Sequence, residues 1–137
     1  MQFRWYSIGT TIFRYNNQIT AFDELQYFGI TGNLYQCFEQ CTALCKVTLP
    51  STMKAVGNYA FRFCSTLRAI LPDTITSIGS YAFQNLSASL TIYATTPPTL
   101  GSDNFTLNCT IYVPSESVDA YKSAWSAHAS KIQPIQE

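Results

Sequence analysis

Charge is scarce in this chain. Only 12% of its 137 residues are Asp, Glu, Lys or Arg, and eight basic residues balance eight acidic ones for a formal net charge of zero. That balance leaves no electrostatic footprint for nucleic acid or for an anionic membrane surface. Long apolar runs are missing as well. None approaches the roughly 18–20 residues of a membrane-crossing helix, so insertion by that route is excluded. No Gly-x4-Gly-Lys-[Ser/Thr] loop is present to cradle a phosphate. The opening Met1-Gln-Phe-Arg-Trp-Tyr-Ser7 has no basic region followed by an apolar run, so it does not read as an export signal.

Aromatic residues, by contrast, make up 15% of the chain, and with abundant Ser and Thr they suit a β-rich domain whose surface is polar but mostly uncharged. A chain of this length forms one domain or one short repeat array. The second is indicated, because the middle of the sequence says nearly the same thing twice. Leu49-Pro-Ser-Thr-Met-Lys-Ala-Val-Gly-Asn-Tyr-Ala-Phe61 is followed 22 residues later by Leu71-Pro-Asp-Thr-Ile-Thr-Ser-Ile-Gly-Ser-Tyr-Ala-Phe83. A fixed period in the twenties marks a solenoid.

The template slides both ways, to Ser7–Phe13 and to Thr99–Phe105. An aromatic anchor then recurs as Phe13, Phe38, Phe61, Phe83 and Phe105, spaced 25, 23, 22 and 22, giving five units from Ser7 to about Pro114. Three residues past each anchor stand Asn16, Cys41, Cys64, Leu86 and Asn108, and Ile19, Leu44, Leu67 and Leu90 come a little later. Each unit has two parts. One is a short β-branched or apolar run: Ile19–Phe22, Cys45–Leu49, Arg68–Leu71, Leu90–Tyr93 and Cys109–Val113. The other, Gly-x-Tyr-Ala-Phe, is a compact turn that carries the Phe inward. Stacked coil on coil, the runs make a parallel sheet and the Phe rings a continuous column. Gly57, Gly79 and Gly101 are read as serving a tight backbone turn.

The ends depart from the template. Asp23–Phe28 reads as a short helix, and Asn33 and Leu34 replace the usual Val/Ile and Gly, so a distorted turn is expected there. Ser115 is expected to cap a helix from Glu116 to about Ser126, whose Val118, Tyr121 and Trp125 form one apolar stripe. Lys131–Ile135 is expected to return as a strand. The domain plan is thus one unit: irregular N-terminal coils over 1–44, regular repeats over 45–114 and a helix-and-strand cap over 115–137. Because the repeat opens mid-pattern, the chain is expected to be a segment of a longer exported protein rather than a cytoplasmic one.

These units resemble the BspA-type leucine-rich repeats, whose pattern includes [Ile/Leu]-Pro-x-[Ser/Thr]-[Val/Ile]-x-x-Ile-Gly-x-x-Ala-Phe-x-x-Cys-x-x-Leu. Leu44 to Leu67 and Leu67 to Leu90 carry the match most closely. Ala94–Leu100 leading to Ile111–Lys122 is similar to the family's last unit, and Ile19–Phe28 to its entry unit. The resemblance implies an α/β repeat solenoid: a short right-handed leucine-rich-repeat coil with a parallel β-sheet face, an irregular N-terminal unit and a C-terminal capping helix. It also implies a surface-exposed or secreted bacterial protein used in adhesion or recognition. No catalytic residues and no cofactor transfer with it.

Five cysteines are the first candidates for chemistry. Cys37, Cys41 and Cys45 lie four apart, but a zinc site usually wants two close pairs and a fourth ligand. The repeat frame places Cys37 in the slot of Ala60 and Ala82, and Cys41 and Cys64 in one shared slot, as buried free thiols. A disulfide, if one forms, is expected between Cys41 and Cys64. Cys45 and Cys109, at strand starts, are expected to be less protected. A Cys–His pair needs hydrogen-bond contact, and the only histidine, His128, follows the capping helix. Asp23, Glu24, Glu39, Asp73 and Asp103 are scattered over different coils, which gives paired-carboxylate chemistry little support.

Surface remains. Strand alternation turns Val47, Leu49, Ile92, Ile111 and Val113 inward. It turns Ile70 and Thr110 outward along one side, together with Lys46, Thr48, Arg68, Thr91, Tyr93 and Tyr112. Of these last six, Tyr93 and Tyr112 are set to form an aromatic ladder. Tyr and Arg are enriched at interface centres, so these six residues are the candidate binding site; the alternative is cross-strand pairing that only stabilises the sheet. The expected function is non-enzymatic binding or adhesion toward a host or neighbouring-cell surface protein or glycan. A structural spacer of a larger surface protein is the alternative, and a hydrolase-type enzyme a more distant one. No metal or cofactor is expected, nor any nucleic-acid partner or membrane insertion.

Overall fold

Short apolar runs that recur once per unit can bury their inner side only against the same run of the next coil. In the computed structural model, which describes residues 13–23, 25 and 33–136, they do so. The elements are β1 (Ala21–Phe22), β2 (Lys46–Thr48), β3 (Ala55–Val56), β4 (Arg68–Leu71), β5 (Ser77–Ile78), β6 (Ser89–Ile92), β7 (Thr99–Leu100), β8 (Thr110–Val113), α1 (Val118–Ala124) and β9 (Ile132–Pro134). Six of them form a parallel sheet in the order β1-β2-β4-β6-β8-β9, in which Lys46 pairs with Arg68, Arg68 with Ser89 and Ser89 with Thr110. The expected strand after Leu86 begins one residue early, at Ser89, and Leu90 therefore lies beside Ala69 and Ile111 rather than opposite Leu67.

The inward residues of this sheet, Val47, Leu49, Ile92, Ile111 and Val113, are all buried, as alternation requires. Behind them runs the column. Phe13, Phe38, Phe61 and Phe83 stack on their successors with centroids 5.3, 5.3, 5.5 and 6.0 Å apart, and planes within 18° of parallel. This is offset stacking, the favoured arrangement for aromatic pairs. Trp125 closes the far end, 5.8 Å from the Phe105 ring.

A second sheet was not expected. β3, β5 and β7 form a three-stranded parallel sheet just before the Gly positions, with Val56 and Ile78 buried under it. Strands of two residues leave no period to read, so the sequence showed only a turn. The turn itself also differs. Gly57, Gly79 and Gly101 have ordinary negative φ, and their role is close approach instead. A Cβ on Gly79 would sit 2.5 Å from Asn58 Oδ1, and one on Gly101 2.4 Å from the Ser80 nitrogen. The positive φ falls two residues before and after the anchors, on Tyr59 (60°), Tyr81 (61°), Phe63 (64°) and Asn85 (64°). Such conformations cost side chains energy, and bonds between coils offset it: the amides of Tyr59, Tyr81 and Phe63 donate to the carbonyls of Ser80, Ser102 and Gln84 at 3.1, 2.9 and 3.0 Å. The distortion expected at Asn33–Leu34 is present, since Leu34 takes the Gly slot with φ 61°.

The cap differs in its start. Ser115–Ser117 is a 3-10 turn, and Ser115 makes no capping bond to the helix. Its place is taken by tertiary anchors: Ser117 Oγ donates to the Thr95 carbonyl (2.8 Å), Tyr121 Oη to that of Ala94 (2.7 Å) and Trp125 Nε1 to that of Pro98 (3.0 Å). A second 3-10 segment, Ser126–Lys131, leads into β9 beside β8. The Ser7–Ile12 part of the first unit, and most of the helix expected over Asp23–Phe28, lie outside the described residues.

Candidate binding face

The pleat that buries Val47 and Ile92 turns the alternate residues to solvent. Lys46 and Arg68 are exposed, Thr48, Thr91 and Tyr112 half-buried, and Tyr93 is 48% exposed. All six residues named from the sequence therefore lie on the outer side of the six-stranded sheet. They do not form one ladder. Tyr112 stands opposite Thr91, two residues before Tyr93, and no ring contact joins the two tyrosines. Counting coils had put them side by side, but β6 starts at Ser89 and that sets the register. The face is divided instead into a basic row, Lys46–Arg68, that runs on into the hydroxyls of Ser89 and Thr110, and a second row of Thr48, Ile70, Thr91 and Tyr112. Along the first row a shallow depression of about 340 Å3 is lined by Arg68, Ala88, Ser89 and Thr110, with Tyr112 from the second row. Lys46 meets Asp23 at 3.7 Å with both side chains more than half exposed, a pair that solvent screens to little.

Sequence reading missed an aromatic ladder on another side of the coil. The Tyr59 and Tyr81 rings stack 5.0 Å apart at 4°, with Tyr35 edge-on to Tyr59 at 6.3 Å. The guanidinium of Arg62 lies over Tyr59, Tyr81 and Phe63, held by a 2.6 Å bond from Nε to Gln84 Oε1. Asp103 beside the Tyr81 hydroxyl pushes that phenol up. The signal was there, a Tyr two residues before Phe61 and Phe83, but it was absorbed into the turn. Also missed was the ion pair of Arg14 with Glu39 (3.2 Å), whose carboxylate is 2% exposed.

The thiols sit where the repeat frame puts them. All five cysteines are free, and Cys37, Cys41 and Cys64 are buried. Cys41 and Cys64 Sγ donate at 3.0 Å to the carbonyls of Phe13 and Phe38, the anchors of the preceding coils. Burial pushes the Cys41 thiol up to about 11 and raises those of Cys64 and Cys109 as well, the opposite of an activated nucleophile. Cys45 is exposed as expected, whereas Cys109, just before β8 and near Lys131 of the cap, is buried. His128 packs edge-on against Phe105 at 5.3 Å, and its burial lowers its pKa. Among the described residues no three His, Cys, Asp or Glu side chains gather as a metal site.

A family profile described as the BspA type leucine rich repeat region matches residues 6–115 in six copies. The chain belongs to the BspA-type leucine-rich-repeat family. The six copies are one more than the five aromatic anchors count. Comparison with curated proteins returns no significant match. BspA-type repeats are associated with bacterial surface proteins. No helix among the described residues is long and apolar enough to cross a membrane.

Proposed function

We propose that the chain is a non-enzymatic binding or adhesion module of an exported or cell-surface bacterial protein, recognising a protein or glycan through the outer side of its six-stranded sheet. The observation that carries this reading is the sheet face itself, with Lys46, Arg68 and Tyr93 open to solvent on neighbouring coils. A solenoid repeats its backbone, so side chains from successive strands make one extended patch. Membership of the BspA-type family supports the surface setting. A spacer, the competing use of such a coil, needs no recognising groups on this face.

The test is a screen of immobilised glycans and extracellular-matrix proteins with the wild-type chain and a Tyr93→Ser/Tyr112→Ser double variant. The double variant should keep its melting temperature within a degree or two and lose most of the signal. Normal binding would move the site off the sheet, most directly to the Tyr35–Tyr59–Tyr81 ladder. Tyr121 of the cap helix does not offer an alternative, because its side chain is fully buried against the last coil, its hydroxyl donating to the Ala94 carbonyl.

A further inference from the structure

Resting on the binding-module reading, we infer that the basic end of the sheet face binds the carboxylate of an acidic sugar, a uronic or sialic type residue in a glycan chain. Arg68 is the anion-binding group. Three of the chain's arginines are among the described residues, and two are occupied: Arg14 by Glu39 and Arg62 by Gln84 and the tyrosine rings. Arg68 is exposed, and none of the described residues gives its guanidinium a hydrogen bond or ion pair. It also stands directly opposite Lys46 on the adjacent strand. Like charges so placed destabilise a sheet, and the exposed ion pair of Lys46 with Asp23 at 3.7 Å, screened by solvent, offsets that repulsion only in part. An anion seated over the pair relieves that repulsion, and a planar carboxylate matches the two-pronged donor geometry of Arg.

The neighbourhood argues for a sugar rather than a peptide. Among the described residues no carboxylate lines the depression beside Arg68; Ser89 and Thr110 offer hydroxyls there, and Tyr112 a ring. Its volume of about 340 Å3 is at the lower end of the roughly 300–1,000 Å3 of small-ligand sites. Strands β4 and β6 are interior strands, paired on both sides, so an extended peptide has no backbone edge to join. A ligand here must bind through its own functional groups. Hydroxyls and one carboxylate suit what Ser89, Thr110 and Arg68 present.

The test is calorimetric titration of the chain with 3′-sialyllactose, tri-galacturonate, neutral lactose and a hexaglutamate peptide. At least one acidic sugar should bind while lactose does not. Arg68→Gln should weaken that binding about tenfold or more, Arg68→Lys less, with melting temperatures no lower than that of the wild type. Raising salt from about 0.1 M to about 1 M should weaken it too, because the screening length falls from roughly 10 to 3 Å. The inference is overturned if neither acidic sugar binds, if Arg68→Gln binds them as the wild type does, or if hexaglutamate is preferred. Binding of lactose alone, lost in the Tyr93→Ser/Tyr112→Ser variant, would overturn the acidic-sugar assignment while leaving the sheet face as the recognition surface.

Discussion

Replacing Phe83 by Ala opens the middle of the aromatic column. Phe83 is fully buried, with the Phe61 ring 5.5 Å away on one side and the Phe105 ring 6.0 Å away on the other, all nearly parallel. Deleting a core aromatic costs roughly 3–5 kcal/mol. The upper end applies here, because two stacked pairs are lost, each contributing about 0.5–1.5 kcal/mol beyond its area. Against a typical total of about 5–15 kcal/mol that is a large share. Among the described residues Phe13 has a single stacked neighbour, with Phe22 edge-on at 5.3 Å, and it is only partly buried, so Phe13→Ala should cost clearly less. Urea unfolding followed by far-ultraviolet circular dichroism measures both. A loss under about 1 kcal/mol for Phe83→Ala, where core truncations run to several, or equal losses at both sites, would refute the stacked column.

Other predictions follow from single residues. Cys37, Cys41, Cys64 and Cys109 should react slowly with a thiol reagent in the native state and Cys45 quickly; fast labelling of the first four would contradict their burial. Gly79→Ala should destabilise the fold by roughly 1–3 kcal/mol through overpacking, since φ there is not positive and the clash is with Asn58; a neutral result in the same urea assay would refute close approach as the reason for Gly. The Cys41 thiol is raised in the fold from 9.0 to about 11, so its contribution is complete below the ordinary value and lost as pH rises through the raised one. The urea midpoint should therefore fall between about pH 9 and 11, with Cys64, Cys109 and Tyr121 shifting the same way; a flat midpoint to pH 11 would contradict it. His128 is lowered, so it contributes stability above its ordinary value that is lost as pH falls; His128→Gln should lessen the acid-side decline in the same titration.

Much of the fold was legible because the period was. The anchors Phe38, Phe61, Phe83 and Phe105 specify the column, and period-two alternation in β4 and β8 specifies which side is buried. What stayed hidden were effects of contact between coils. The two-residue strands β3, β5 and β7 exist only because each has the next beside it. Tyr59 and Tyr81 take positive φ, which their residue type disfavours, because their amides find carbonyls one coil on. Ser115 has good capping chemistry, yet Ser117, Tyr121 and Trp125 hold the cap through carbonyls of the preceding coil. The candidate face was legible as a set of outward residues. Its layout was not, because register depends on where β6 starts.

The recognition surface is tested most directly by amide chemical-shift mapping, with 15N-labelled chain titrated against tri-galacturonate and 3′-sialyllactose. Shifts concentrated on Lys46, Arg68, Ser89, Thr110 and Tyr112 are predicted. Shifts centred on Tyr35, Tyr59 and Tyr81, or spread over the cap, would place recognition elsewhere and contradict the sheet-face assignment.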